Sequence, residues 1–136
     1  MVNPIKNTKP PEVEKAVEKP VAPIVRYLNK NIKISPRKLR LLARTIKKVT
    51  PQVALTQLKF TNSKSARVLL KAVQTVISTA KSNYSLAPET LTFDSIRVDE
   101  GLKIKRMDKS HGSRFSRGLI QKRHSRLEIK VKVKTN

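Results

Sequence analysis

The chain has 136 residues, a formal net charge of +22 and a pI near 11.0. That length suits one ordinary domain plus a tail, and so large a charge excess implies a polyanionic partner. The lack of cysteine excludes disulfides, thiolate metal sites and cysteine nucleophiles, the lack of tryptophan argues against an interfacial membrane helix, and no apolar run is long enough to span a bilayer.

Residues 1–23 read as a tail. Five of the eight prolines (Pro4, Pro10, Pro11, Pro20, Pro23) stand there, with Glu12, Glu14 and Glu18 among lysines. Such a segment buries too little to offset its ordering entropy, so a disordered or extended tail is expected. It lacks the apolar core of a signal peptide and the arginine-rich, acid-poor composition of a transit peptide. Residues 24–136 read as one globular domain with a long β-hairpin at about 99–134.

Ile24 to Ile34 reads as a first strand, with a bulge or turn at Asn29-Lys30-Asn31. Ser35-Pro36 then opens a helix: serine is a good N-cap, and proline at the first position loses an N–H that had no partner. Leu39, Leu42, Ala43 and Ile46 form its apolar stripe. Arg37, Lys38, Arg40, Arg44, Lys47 and Lys48 surround it, and Leu41 stands among them, unexplained unless a second surface covers it. Thr50-Pro51 repeats the start signal for a short helix to Phe60, with Ala54, Leu55 and Leu58 inward. After Thr61-Asn62-Ser63 the longest helix runs to about Tyr84. Ala66, Leu69, Leu70, Val73, Val76, Ile77 and Ala80 hold its core face, and Asn83 offers a left-handed stop.

Leu91 to Val98 reads as a strand whose phase slips. Leu91 and Phe93 share one parity, Ile96 and Val98 the other, and a bulge near Asp94-Ser95 would reconcile them. The strand runs on into a hairpin. Leu102 and Ile104 alternate with Lys103 and Lys105 on the way out, and Leu127, Ile129, Val131 and Val133 alternate with Glu128, Lys130, Lys132 and Lys134 on the way back. All three glycines (Gly101, Gly112, Gly118) lie in this region and no proline does. A ribbon of eleven residues per arm reaches roughly 35 Å, and its distal half has almost nothing to bury. The outline is α+β: three helices packed on a small antiparallel sheet, with a long protruding β-hairpin.

Catalysis finds no support. His111 and His124 are the only histidines, and no acid is placed to orient either beside Ser110 or Ser125. Asp99 and Glu100 are adjacent on a strand and so face opposite sides. Three glycines spread over eighteen residues match no nucleotide-binding loop, and a metal site would need more ligands than the chain can gather. No cofactor is expected. The basic residues are the better candidates, because no Asp or Glu occurs between Lys19 and Pro88. With no acids to pair with, an all-cationic helix face repels itself unless a polyanion is present. Lys103, Lys105, Arg106, Lys109, Arg114, Arg117, Lys122, Arg123, His124 and Arg126 similarly decorate a ribbon without a core. The few aromatics (Tyr27, Phe60, Tyr84, Phe93, Phe115) do not make a base-stacking sheet. Phosphate contact over folded RNA fits best, and a free DNA-compacting protein is the alternative.

The order of several short motifs resembles the large-subunit ribosomal protein family called L twenty-two. They are Ser-Pro-Arg-Lys-Leu-Arg-Leu-Leu-Ala at Ser35 to Ala43, Asn62-Ser63-Lys64-Ser65-Ala66, Ile96-Arg97-Val98-Asp99-Glu100-Gly101, Lys105-Arg106 and Lys122-Arg123-His124-Ser125. The resemblance covers roughly Val25 to Val133. It implies a non-catalytic constituent of the large ribosomal subunit, of bacterial or organellar type. Its helix from Ser35 and its hairpin arms would bind ribosomal RNA. Its tip, Ser110, His111, Gly112, Ser113, Arg114 and Phe115, would help line the nascent-peptide exit tunnel. The implied partners are ribosomal RNA, neighbouring large-subunit proteins and the passing nascent peptide, with no homo-oligomer. The implied location is a bacterial cytoplasmic ribosome, or else an organellar one. The tip departs from the Pro-Arg-Ala-Lys-Gly-Arg usual in the family. The return strand's Leu-Glu-Ile-Lys is more polar than the family's run, which suggests a more exposed edge.

Overall fold

The computed structural model describes residues 23–110 and 118–134. Its elements are β1 (Val25–Ile32), α1 (Pro36–Ile46), α2 (Pro51–Phe60), α3 (Lys64–Tyr84), a short 3-10 turn (Pro88–Thr90), β2 (Leu91–Asp108) and β3 (Gly118–Val133). The α+β reading is borne out: three helices lie against a three-stranded antiparallel sheet from which the β2–β3 ribbon extends. The expected tail, apart from Pro23, and His111 to Arg117 of the tip lie outside the described residues.

Proline at the first position starts both α1 and α2, but neither Ser35 nor Thr50 forms a side-chain cap. The N-cap positions expected from the sequence are therefore right, while the capping bonds are absent. Ser63 does cap α3, its Oγ accepting the Ala66 N–H at 3.0 Å. The left-handed residue ending α3 is Ser85 (φ 51), not Asn83, which remains helical. Two carbonyls of the last turn are satisfied there, Lys81 by the Ser85 N–H and Ala80 by the Leu86 N–H.

The sheet order is β1-β3-β2. The return strand is thus central, which corrects the expectation of an exposed edge. Its polar residues Glu128, Lys130 and Lys132 stand on the sheet face away from the helices. Leu127, Ile129 and Val131 on the other face are fully buried. They meet Leu39, Ala43 and Ile46 of α1, Ala54 and Leu58 of α2, and Leu69, Val73 and Val76 of α3 in one core. Each large side chain there contributes about 1.5–3 kcal/mol by leaving water.

Both edge strands bulge to stay in step with β3. On β1 the register shifts between Asn29 and Ile32, and the Asn29 Oδ1 accepts the Asn31 N–H at 3.2 Å. On β2 it shifts between Phe93 and Ser95, as the phase slip required, so Leu91, Phe93, Ile96 and Val98 all face the core side. A second β2 bulge, between Glu100 and Lys103, was not anticipated. It reverses the parity again and turns Lys103, Lys105 and Met107 to the helix side of the ribbon.

That second bulge brings backbones close together. A Cβ on Gly101 would stand 3.1 Å from the carbonyl carbon and oxygen of His124 and 3.2 Å from the Ser125 nitrogen. Gly101→Ala should therefore destabilise the fold by about 1–3 kcal/mol through overpacking against main chain. An unchanged urea midpoint would refute this.

Ser125 lies at the same level, fully buried between the two edge strands, and its Oγ has no hydrogen-bond partner. A buried hydroxyl without a partner is costly. Ser125→Ala should leave stability unchanged or raise it by up to about 1 kcal/mol, whereas a clear loss in thermal unfolding would show that the hydroxyl is bonded in solution.

Candidate nucleic-acid interface

No acid occurs in α1, α2 or α3. The acids among the described residues are Glu89, Asp94, Asp99, Glu100, Asp108 and Glu128, all in the sheet, the ribbon or the turn before β2. Several hold cations in place. Arg26 meets Glu128 at 2.8 Å, Lys132 meets Asp94 at 3.2 Å and Lys103 meets Glu100 at 2.7 Å. Charge is therefore mixed on the sheet and of one sign on the helices.

The amphipathic spacing of α1 buries Leu39, Ala43 and Ile46 and turns Arg37, Lys38, Arg40 and Arg44 outward, followed by exposed Lys47 and Lys48. Arg40 is committed to the fold: its Nε donates to the Val98 carbonyl at 2.8 Å and ties α1 to edge strand β2. Arg40, Arg44 and Lys47 line a cleft of about 190 Å³ with Ala43, Ile96 and Val98. At the other end of α1, Ser35, Arg37, Lys38 and Leu41 face Gln121 and Arg123 of β3 across a cleft of about 560 Å³.

The ribbon divides the remaining sequence-predicted residues between two faces. Cross-strand pairing puts Lys103 opposite Arg123 and Lys105 opposite Gln121 on the helix side. Ile104 opposite Lys122 and Arg106 opposite Ile120 occupy the far side. Arg126 also lies on the far side, lining a cleft with Arg26, Leu28, Lys30, Asp99 and Glu128. The expected interface is thus one strongly cationic face made by α1 and the near side of the ribbon, whose acid Glu100 is paired with Lys103, plus a second, mixed-charge face. His124 is half-buried, and its Nδ1 lies 2.7 Å from the Asn31 Oδ1, so it also joins β3 to the β1 bulge. Lys109 and Ser110 are exposed at the end of β2. The Asp108 Oδ1 accepts the Ser110 hydroxyl at 2.6 Å and its N–H at 3.0 Å, which opens the tip as a local turn. Gln121 was missed. The odd-numbered phase of β3, from Leu127 back to Leu119, would have placed it beside Arg123.

The Lys103 ammonium, hydrogen-bonded to Glu100, holds that carboxyl below its ordinary range, and Arg40 and Arg123 act in the same direction. A depressed folded pKa contributes stability that is present above the unfolded value and lost as pH falls through the folded one. Glu100 should accordingly titrate below an ordinary glutamate, and Lys103→Ala should move its midpoint upward. Carboxyl carbon shifts followed against pH would check this, and coincident midpoints in the two proteins would refute it.

An α+β fold with acid-free helices and a cationic ribbon defines a class of strongly basic proteins suited to a polyanionic partner. Among the described residues no cluster of His, Asp and Glu could hold a metal, and no helix is long and apolar enough to cross a membrane. The family described as ribosomal protein L22p/L17e matches residues 27–132, and this chain belongs to it. The chain is 37% identical over 123 residues to the large ribosomal subunit protein uL22 of Petrotoga mobilis, covering 90% of this chain and 80% of that one. It is 35% identical over 107 residues to that of Rubrobacter xylanophilus, covering 79% and 83%. The uL22 of Mycoplasmopsis pulmonis is 35% identical over 107 residues, covering 79% of this chain and 96% of its own length. The family is structural and non-enzymatic, in keeping with side chains that offered no catalytic arrangement.

Proposed function

We propose that this chain is a structural component of the large ribosomal subunit that binds ribosomal RNA. Its ribbon lies between RNA helices, and its tip, Ser110 to Phe115, helps line the nascent-peptide tunnel. The observation that carries the RNA assignment is the cation-rich face running from Arg37, Lys38, Arg44, Lys47 and Lys48 onto Lys105 and Arg123 of the ribbon, where the helices bring no acid and Glu100 is already paired with Lys103. Phosphates are the counter-charge that such a face lacks within the chain. The ribbon supports the same reading. From Leu102 to Met107 it is exposed on both faces, and an isolated two-stranded ribbon is marginal in water, so an external surface completes it. The tunnel assignment rests on family membership and on the length of the ribbon. The ten residues from Asp99 to Asp108 reach roughly 33 Å. In this reading residues 24–136 form the domain anchored on the RNA and residues 1–23 an extension of it. The bacterial relatives favour a bacterial, cytoplasmic ribosome, where neighbouring large-subunit proteins and the nascent chain are the other partners.

Sucrose-gradient sedimentation at moderate and then high salt tests the assignment. The wild-type chain should stay with the large subunit at both. Arg106→Glu combined with Arg123→Glu reverses charge on both faces of the ribbon and should lower incorporation by about tenfold or more. Undiminished incorporation would remove the ribbon as the RNA anchor. Wild-type chain in light or DNA-containing fractions would instead indicate a free nucleic-acid binder.

A further inference from the structure

We propose that the cleft between the start of α1 and the base of the ribbon holds one unstacked RNA nucleotide. Its base rests on Leu41, its edge meets Gln121, and its phosphate lies among Arg37, Lys38 and Arg123. This deepens the ribosomal-RNA reading and rests on it.

Leu41 is 67% exposed although its helix buries Leu39, Ala43 and Ile46. It forms the apolar part of a cleft of about 560 Å³ whose other walls are Ser35, Arg37, Lys38, Gln121 and Arg123. That volume falls within the range of about 300–1,000 Å³ typical of small-ligand sites. Phosphate contact along a duplex requires cations alone. An apolar floor beside one neutral amide and three cations instead matches the parts of a single nucleotide: a flat base, a hydrogen-bonding edge and an anionic group. RNA commonly presents such bases from loops and bulges.

Charge decides between RNA and a protein side chain as the occupant. No acid lines the cleft, so an apolar side chain seated on Leu41 would desolvate Arg37 and Lys38 without supplying a counter-charge, which is expensive. A nucleotide supplies it. The first turn of α1 reinforces the preference. It has no side-chain cap and no acid, so the positive end of its dipole adds to the three cations.

The chain contains no tryptophan, so Leu41→Trp introduces a single emission reporter at an exposed position. The measurement pairs that emission with the anisotropy of a labelled large-subunit ribosomal RNA transcript. Val53→Trp, on the 47% exposed Val53 of α2, is the control. RNA should quench the reporter at position 41 and leave the one at position 53 unchanged. Leu41→Ala should weaken binding about fivefold while leaving the slope of log affinity against log salt as in wild type, because the lost contact is to a base and not a phosphate. RNA binding without quenching at position 41 would overturn the nucleotide site. A blue shift appearing only when large-subunit proteins are added would give the cleft to a protein side chain and overturn it as well. Absence of RNA binding by the wild-type chain would overturn the ribosomal-RNA reading together with this one, and the wild-type anisotropy tells the two failures apart.

Discussion

Everything in this fold answers to the unbroken alternation of β3. From Leu119 to Val133 every odd-numbered residue points to the helix side, and the strand carries no bulge of its own. Both neighbours are longer than the stretch of β3 they must pair with, so each absorbs its surplus as bulges. Those bulges keep apolar side chains on the core face of β1 and β2 despite slips in their sequence phase. A bulge also bends and twists its strand. The pair nearest the ribbon, at Asn29–Ile32 and Glu100–Lys103, lies at the level of Ser125, where the core ends and the ribbon begins.

The same device sorts charge. Without the shift at Glu100–Lys103, Leu102, Ile104 and Arg106 would continue the core face of β2 beyond the helices. With it, Lys103 and Lys105 take that face and stand beside Arg123 and the outward side of α1. Lys103 is partly committed to Glu100, which pins the bulge, while Lys105, Arg37 and Lys38 meet no acid in the ion pairs of the described residues. The acids of the sheet are spent on Arg26, Lys130 and Lys132 across its far face. The ion pairs of the described residues thus gather mainly on one face, and cations are in excess on both.

The sequence announced what depends on local periodicity and hid what depends on pairing. The helical stripes, the proline starts and the Asp94 bulge follow from spacing within a single segment, and all were readable. The place of β3 in the middle of the sheet was not, because Glu128, Lys130 and Lys132 look the same on an edge strand as on a central strand with one open face. The second β2 bulge was hidden for a related reason. Leu102 and Ile104 alternate cleanly with lysines, and only the close approach of Gly101 to His124 and Ser125 shows that the alternation changes face there. Among the candidate interface residues, Arg40 reads in the sequence as one more surface cation, and only its bond to the Val98 carbonyl shows a role in the fold. Gln121 carried no charge to draw attention.

The ribbon beyond that level contains little that could hold it together. Its cross-strand pairs include Met107 with Leu119, which are 54% and 60% exposed, and the diagonal neighbours Ile104 and Ile120, at 37% and 44%. Contacts of that kind contribute a few tenths of a kcal/mol to about 1 kcal/mol each, which does not exceed the entropy of ordering the residues that make them. Its cations repel one another along both arms. A polyanion reverses both terms at once, removing the repulsion and covering the exposed isoleucine and leucine stems. In the proposed RNA-bound reading the ribbon's shape and its binding are therefore one thermodynamic event, and the bulges at its base determine in which direction that event is aimed.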